Sequence, residues 1–299
     1  MNKKIAILII VLVVILVFTL FYVTNNSHAG NVVNLNTSKG YTTIQEAIDA
    51  KETLDGHTLL VYPGVYHEYV EVTKTLTIEG KNRDETIVEP GNTSVIIVLV
   101  QANDSVVANL TVRGSTFGIW CRNVRGCSVL NNRVVNCATG IRLDRSGKNE
   151  PALCNCLVKG NEVLNCTLRG IHLYDAFNNT VTDNLIQNTT GGSYAAIDIE
   201  YSYNNTFVHN QLKNNECGLW MNTGAFNNTI YYNNFINNTL QVRTYGGHTT
   251  WDSGYPSGGN YWSDYVGTDA NGDGIGDTWY TIDEENVDRY PLMSPTAFP

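Results

Sequence analysis

The chain has 299 residues, of which 42% are hydrophobic and 16% are charged, so it can hold one large domain or two ordinary ones. Its net charge of −9 argues against a nucleic-acid partner, because such a partner requires a basic face. The acidity is concentrated between Trp251 and Pro299, where nine Asp or Glu residues accompany one basic residue, Arg289. An acidic tail of this kind favours solvation or cation binding.

The first predicted element is a membrane-spanning helix. Two lysines precede Ile5–Val23, a run of 19 residues without a charge, which is long enough to cross a bilayer with the lysines on the cytoplasmic side. Residues 1–24 are therefore predicted to be a signal anchor. A cleaved signal peptide is the alternative, because Ser27 and Ala29 supply small residues before a cleavage point. Both alternatives predict that the rest of the chain is exported.

A short helix is predicted next. The segment YTTIQEAIDAK carries Thr43 and Glu46 at capping-box spacing, which predicts a helix that continues to about Lys51. Segments rich in β-forming residues follow it. Since a solenoid must cover its apolar end, we interpret this helix as an N-terminal cap.

An asparagine-rich repeat occupies the middle of the chain. The segments CSVLNNRVVNC, CLVKGNEVLNC, NNTVTDNLIQN, NNTFVHNQLKN and NNTIYYNNFIN share one register. Their first shared asparagines, spaced 29, 23, 26 and 23 residues apart, are Asn132, Asn161, Asn184, Asn210 and Asn233. A second asparagine follows each of these after four positions, at Asn136, Asn165, Asn188, Asn214 and Asn237.

The period and the pattern of this repeat predict an all-β parallel β-helix. Periods between 20 and 50 residues indicate a stacked repeat architecture. The segments between turn signals are short and alternate apolar with polar residues, which is typical of strands. We assign residues 31–246 to the β-helix. The asparagines are interpreted as structural, because they tolerate left-handed turns and their amides can form a hydrogen-bonded ladder along the axis.

The repeat also creates sequons, which are candidate glycosylation sites in an exported protein. Ten lie from residue 31 onward, at Asn36, Asn92, Asn103, Asn109, Asn165, Asn178, Asn188, Asn204, Asn227 and Asn237. Asparagines that take part in a buried ladder are expected to be inaccessible to modification.

A second strand signal in each repeat, as in GIRL and GIHL, predicts a face of side chains that point outward between inward Ile and Leu residues. One column of this face is predicted to contain Trp120, Arg142, His172, Asp198 and Trp220. A second column is predicted to contain Arg122, Asp144, Tyr174, Glu200 and Asn222. Sugars present apolar ring faces to aromatic side chains and hydroxyls to charged ones, so this combination predicts a carbohydrate-binding surface.

Asp198 and Glu200 are also candidate catalytic carboxylates. Two residues apart on a strand, their backbones lie about 6.6 Å apart, and the carboxyl pairs of glycosidases lie about 5–9.5 Å apart. A polysaccharide hydrolase or lyase is therefore the alternative function. The structural alternative is that these residues form ion pairs between turns, each contributing little to stability.

The segment DANGDGIGD is similar to a calcium-binding loop, because oxygen-bearing side chains alternate with glycines. The candidate ligands at loop positions 1, 3, 5, 7 and 9 are Asp269, Asn271, Asp273, Ile275 through its carbonyl, and Asp277. Tyr280 replaces the usual glutamate at position 12, so Asp283 or Asp264 would have to complete the shell. We predict a structural calcium ion that helps to close the C-terminal end, within an acidic cap formed by residues 247–299.

The seven cysteines show a register of their own, in which Cys127 aligns with Cys156 and Cys137 with Cys166. Aligned α-carbons of adjacent turns lie about 4.8 Å apart, within the range that a disulfide spans. The pattern predicts either two disulfides or two stacks of buried thiols. Thiolates are soft ligands that suit copper, but three methionines and six scattered histidines argue against a copper site.

Taken together, TIQEAIDA, VYPGVYHEYVEVTKTLTIEGKN, the asparagine-rich repeats and GNYWSDYVGTDANGDGIGDTWYTID resemble the NosD-like right-handed parallel β-helix family, especially its exported archaeal members. The resemblance implies a right-handed solenoid and export, with carbohydrate binding or sugar hydrolysis as a shared theme. Its name-giving branch assists copper delivery to an exported reductase, so the resemblance also implies a copper-delivery accessory protein as a further alternative function. The first segments also resemble pectin esterases, but QDT and DFIFG are absent, which argues against esterase chemistry. The sequence therefore predicts a membrane-anchored, extracytoplasmic protein whose partner is a glycan, with the cell-envelope polysaccharide as the nearest candidate.

Overall fold

The structure is a computed structural model that describes residues 31–91, 95–145, 153–245 and 247–298. The predicted membrane-spanning segment, residues 1–24, and the sequon at Asn92 lie outside these ranges. Within them, no helix has the length and apolar character needed to cross a bilayer.

Three sheets form a right-handed solenoid of about eight turns, and they are parallel except where Val32–Asn34 pairs antiparallel with Lys39–Tyr41 and Thr58–Val61. Sheet A contains β1 (Val32–Asn34), β2 (Lys39–Tyr41), β3 (Thr58–Val61), β6 (Thr77–Gly80), β9 (Val106–Ala108), β12 (Ser128–Leu130), β16 (Leu157–Lys159), β20 (Thr180–Thr182), β23 (Thr206–Val208) and β26 (Thr229–Tyr231). Sheet B contains β4 (Gly64–His67), β7 (Thr86–Glu89), β10 (Thr111–Arg113), β13 (Arg133–Val135), β17 (Glu162–Leu164), β21 (Leu185–Gln187), β24 (Gln211–Lys213), β27 (Asn234–Ile236) and β29 (Tyr261–Trp262). Sheet C contains β5 (Val70–Val72), β8 (Ile96–Val100), β11 (Phe117–Arg122), β14 (Thr139–Asp144), β18 (Arg169–Tyr174), β22 (Ile197–Glu200), β25 (Cys217–Met221) and β28 (Leu240–Thr244).

Each turn supplies one strand to sheets A, B and C in that order, and equivalent residues pair in register. Ile141, for example, pairs with Ile171 of the next turn, and Ile171 pairs with Ile197. These inward side chains are almost completely buried and form one continuous core along the axis. The predicted parallel β-helix is confirmed. Two further pairs lie outside the sheets: β15 (Leu153–Cys154) with β19 (Ala176–Phe177), and β30 (Tyr280–Thr281) with β31 (Val287–Asp288).

The structure assigns the two roles predicted for asparagine to different columns. The first shared asparagines form a buried ladder between sheets A and B, in which each side-chain amide donates to the amide oxygen of the next turn at 2.9–3.1 Å. The ladder runs from Asn132 to Asn260. The second asparagines, from Asn136 to Asn237, are exposed and have φ between 51° and 59°, the left-handed region that Asn tolerates.

The sequon asparagines belong to turns and not to the ladder. Of the nine within the described ranges, seven are exposed, and these are Asn36, Asn165, Asn178, Asn188, Asn204, Asn227 and Asn237. In each Asn-Asn-Thr motif the first asparagine is an exposed turn residue and the second is buried, as Asn178 and Asn179 show. The ladder therefore does not make the sequon asparagines inaccessible to modification.

The predicted capping helix is not present at its expected length. It was expected to run from Thr43 to about Lys51, whereas the structure has a six-residue helix, α1 (Ile44–Asp49). The Thr43 hydroxyl caps it by accepting from the Glu46 amide at 3.1 Å. At its other end, the Lys74 ammonium donates to two main-chain carbonyl oxygens at 2.6 and 2.9 Å, so these carbonyls are satisfied without a further helical turn.

The C-terminal residues pack against the last turns of the solenoid. Trp262 is buried and stacks between Phe235 and Tyr280, with ring centroids 4.3 and 4.1 Å away. The buried carboxylate of Asp288 accepts from the main-chain N–H of Asn260 at 2.7 Å and from the indole N–H of Trp262 at 2.9 Å. Asp288 therefore terminates the asparagine ladder.

Candidate functional site

The outward side chains of sheet C form the candidate site, which we call the sheet C face. Strand pairing places Trp120 beside Arg142, Arg142 beside His172, His172 beside Asp198, and Asp198 beside Trp220. These five residues therefore form the single column that the alternation predicts. In the second column, Arg122 pairs with Asp144, Asp144 with Tyr174, and Tyr174 with Glu200.

The centre of this face is more buried than an outward position implies. His172 is 2% exposed, Asp198 is 0% exposed and Trp220 is 8% exposed. Neighbouring residues therefore cover most of the surface of these three side chains in this structure.

Part of this cover comes from an unusually long connection between sheets B and C. Nine residues separate Gln187 from Ile197, whereas three separate the equivalent strands of the next turn. The longer connection brings the Tyr194 ring to 3.6 Å from the Arg169 guanidinium carbon and 6.3 Å from the Trp220 ring. The sequence pattern gave no signal for Tyr194, because the connection lies outside the repeat.

Two ion pairs and one histidine–carboxylate contact lie on the face. Arg142 Nε donates to Asp144 Oδ2 at 2.9 Å, and Arg169 Nε donates to Asp198 Oδ2 at 2.7 Å. His172 Nε2 lies 3.5 Å from Glu200 Oε2. Sequence analysis missed Arg169, which begins β18 three residues before His172. Strict alternation gives it the inward parity of Ile171, so the pattern gave no signal for it.

The pKa values of the two candidate catalytic carboxylates shift in opposite directions. Burial raises the pKa of Asp198, in spite of the Arg169 guanidinium beside it. The contact with His172 lowers the pKa of Glu200. Burial lowers the pKa of His172, which favours the neutral ring.

The face carries a cluster of buried polar atoms without hydrogen-bond partners among the described residues. The seven atoms are Trp120 Nε1, Arg122 Nε, Asp144 Oδ1, His172 Nδ1, His172 Nε2, Asp198 Oδ1 and Trp220 Nε1. Each such atom costs about 1–3 kcal/mol of stability. Such a concentration is typical of a site that binds water or a ligand, because a purely structural surface would satisfy these groups.

The predicted calcium loop is an exposed turn whose carboxylates accept main-chain N–H groups. The two oxygens of Asp269 accept from Gly272 at 2.7 Å and from Gly274 at 2.9 Å. Asp273 and Asp277 each accept one main-chain N–H at 2.9 Å. In the described part of the chain, no group of three or more His, Cys, Asp or Glu side chains is arranged to hold a metal ion.

Both residues predicted to complete the calcium shell accept hydrogen bonds in this structure. Asp264 accepts from Gln241 and Tyr280, and Asp283 accepts the main-chain N–H groups of Glu285 and Asn286 at 2.8 Å. The calcium site remains a prediction that depends on the loop's own oxygens.

The cysteines stack as predicted, and all seven are free thiols in this structure. Cys127 and Cys156 precede the paired residues Ser128 and Leu157, and Cys137 and Cys166 follow the paired strands β13 and β17. The Cys156 thiol beside Cys127 lowers the pKa of Cys127. Burial raises the pKa of Cys137 and Cys166.

The three-sheet solenoid and its asparagine ladder define a parallel β-helix protein. Residues 21–267 match the family described as "Periplasmic copper-binding protein (NosD)", so the chain belongs to the NosD family. A "Cell surface glycoprotein" of Methanothermus fervidus is 27% identical over 79% of this chain and 53% of its own length. A "Probable ABC transporter binding protein NosD" of Stutzerimonas stutzeri is 37% identical over 36% of this chain and 24% of its own length. The chain thus spans about half or less of the length of these relatives.

The sequence identities to solved structures are lower than those to these relatives. The periplasmic alginate epimerase AlgG aligns with a TM-score of 0.42 and 17% identity, covering 71% of this chain and 72% of the epimerase chain. An alginate lyase from Paenibacillus sp. aligns with a TM-score of 0.35 and 10% identity, covering 73% of this chain and 94% of the lyase chain. Similarities this low support no inference about the activity of this protein.

The family description names copper, and the donor chemistry of the described residues does not fit it. Copper(I) selects thiolates and thioethers. Burial raises the pKa of Cys121 and Cys137, and it raises the pKa of Cys217 to about 11, so these thiols resist deprotonation. The pKa of Cys127 is lowered, but that of Cys156 beside it is raised, so this pair does not offer two thiolates.

Proposed function

We propose that this protein is an extracytoplasmic member of the NosD family that binds a cell-envelope glycan through the sheet C face. The printed names of its relatives refer to the periplasm and the cell surface. The predicted anchor, residues 1–24, would hold the solenoid at the outer side of the membrane. The name of the Methanothermus relative also supports glycosylation at the exposed sequons.

The observation that carries this proposal is the cluster of unpartnered polar atoms among aromatic rings. Sugar hydroxyls donate and accept hydrogen bonds, so they can satisfy the indole N–H groups as well as the free carboxylate oxygens of Asp144 and Asp198. Trp120 and Tyr174 are partly exposed and offer rings to the apolar face of a sugar.

Binding at the centre of the face requires a local opening. Tyr194 packs against Arg169 and Trp220, so its connection has to move before a ligand can reach Asp198. That connection contains Gly191 and Gly192, and Gly192 has a φ of 28°, which an L side chain rarely adopts.

A glycan array probed with the purified full-length protein tests the proposal. We expect retention on a restricted set of glycans, and loss of that retention in Trp120→Ala because the ring and its N–H are removed. Tyr255→Ala is the matched control, since Tyr255 is an exposed aromatic residue of the C-terminal segment. Absence of retention on every glycan, or equal retention by Trp120→Ala, would contradict the proposal.

Polysaccharide cleavage is the second candidate, favoured by the opposite pKa shifts of Asp198 and Glu200. A carboxyl with a raised pKa can act as an acid while its neighbour stays ionised. Asp198→Asn and Glu200→Gln would each abolish cleavage of a bound glycan without preventing its retention on the array. Unchanged cleavage in both variants would exclude these residues as catalysts.

A further inference from the structure

We infer that the ligand of the sheet C face is an acidic oligosaccharide that carries carboxylate groups, an inference that rests on the proposed function. It derives from the charges and unpartnered atoms of the face and goes beyond sugar binding in general, because a neutral sugar would leave part of the face without a partner.

Two carboxylates of the face are paired with arginines, whereas two further arginines are unpaired. Asp144 contacts Arg142, and Asp198 contacts Arg169. Arg122 and Arg243 make no ion pair with any described residue. Their guanidinium carbons lie 5.6 Å from the Trp120 ring and 5.1 Å from the Trp220 ring.

Two positive charges of the face are therefore unbalanced on an acidic protein. The guanidinium groups of Arg122 and Arg243 have no carboxylate within ion-pair distance among the described residues, whereas the whole chain has a net charge of −9. Burial lowers the pKa of His172, which favours its neutral ring. Two unpaired guanidinium groups attract an anion even though the chain as a whole is acidic.

The unpartnered atoms indicate what kind of anion fits. The indole N–H groups of Trp120 and Trp220 and the Arg122 Nε–H can only donate, so they require acceptor oxygens. The free oxygens of Asp144 and Asp198 require donors. A uronic acid supplies a carboxylate for the arginines, hydroxyl donors for the aspartates and a ring face for the indoles.

The positions of the two free arginines indicate a chain of several sugars. Arg122 lies in β11 and Arg243 in β28, five strands further along sheet C. At about 4.8 Å per step, these two strands lie about 24 Å apart. A ligand that contacts both arginines must run along the solenoid axis.

Calorimetry with three probes tests the inference: a hexamer of galacturonate, its fully methyl-esterified form, and maltohexaose. The first two share one skeleton and differ in charge. We expect the acid to bind at least about tenfold more tightly than the ester, with an affinity that falls as salt is added.

Substitution of both free arginines should remove this preference. The double variant Arg122→Gln/Arg243→Gln should bind the galacturonate hexamer no more tightly than it binds the methyl-esterified form. Arg113→Gln, an exposed sheet B arginine paired with Glu89, is the matched control and should keep the preference. If the glutamine pair fails to fold, Arg122→Lys with Arg243→Lys retains the charge and should keep part of the preference, because lysine lacks the bidentate fork.

The outcomes separate this inference from the proposed function. Equal binding of acid, ester and maltohexaose, or an acid preference that survives loss of both arginines, overturns the inference and leaves sugar binding intact. Failure to bind any of the three probes, together with an empty glycan array, overturns both.

Discussion

At the scale of single residues, the sheet C face depends on charges held away from water. The side chains of Arg169 and Asp198 are 14% and 0% exposed, and their contact of 2.7 Å is the only hydrogen bond that the Asp198 side chain makes within the described ranges. The Arg169 guanidinium therefore favours the ionised form of Asp198, whereas burial favours the neutral form and raises its pKa.

Removing that neighbour should be costly. We expect Arg169→Gln to lower the free energy of unfolding by about 3–5 kcal/mol, because a buried carboxylate loses its counter-charge. Urea denaturation measures the change. The double variant Arg169→Gln/Asp198→Asn removes both charges and should recover most of the lost unfolding free energy. If Arg169→Gln alone is as stable as the wild type, the pair is not buried in solution.

Asp288 should make the stability of the protein depend on pH. Burial raises its pKa from 3.8 to about 6, so between these values the folded state binds a proton that the unfolded state does not. The contribution of this group is present in full below about pH 4 and is lost as pH rises through 6, at a cost of about 3 kcal/mol.

Unfolding free energies of the wild type and Asp288→Asn at pH 4 and pH 7 check this. The wild type should lose stability relative to the variant between the two values, because asparagine does not titrate. A difference that does not vary with pH would show that Asp288 keeps an ordinary pKa.

At the scale of elements, the two asparagine columns differ in what they contribute. The Asn210 side chain takes part in five hydrogen bonds, and its oxygen accepts the Asn184 main-chain N–H at 3.1 Å. Asn214, in the same turn, is exposed and has a φ of 55°. The first stabilises the stack and the second only permits the turn.

The same substitution at both positions tests this division. Asn210→Gly should destabilise by more than about 3 kcal/mol, because several buried groups lose their partners at once. Asn214→Gly should change stability by less than about 1 kcal/mol, because glycine adopts left-handed φ readily. Thermal unfolding of the two variants provides the comparison, and equal losses would refute it.

At the scale of the whole molecule, the C-terminal segment decides how the solenoid ends. We expect millimolar calcium to raise the melting temperature of the full-length protein, because the ion would relieve repulsion among Asp269, Asp273 and Asp277. Asp269→Asn should reduce this shift, while Glu284→Gln, an exposed acidic residue of the same segment, should not. Melting curves that are identical with calcium and with a chelator would contradict the calcium prediction.

The architecture was predictable from the sequence because it follows from repetition. A period near 23 residues, with alternating strands and asparagine turns, defines which residues lie above one another. The column from Trp120 to Trp220 and the stacked cysteines followed from that register. Neither depends on any contact outside the repeat.

The state of the site was decided only by the tertiary structure. Alternation placed Asp198 outward, but its burial results from Arg169 in the preceding turn and from Tyr194, which a non-repeated connection brings over the face. The length of helix α1 likewise depends on Lys74, some 25 residues away along the chain. Local patterns determine which way a side chain points, whereas burial, ion pairing and pKa depend on residues that only the fold brings together.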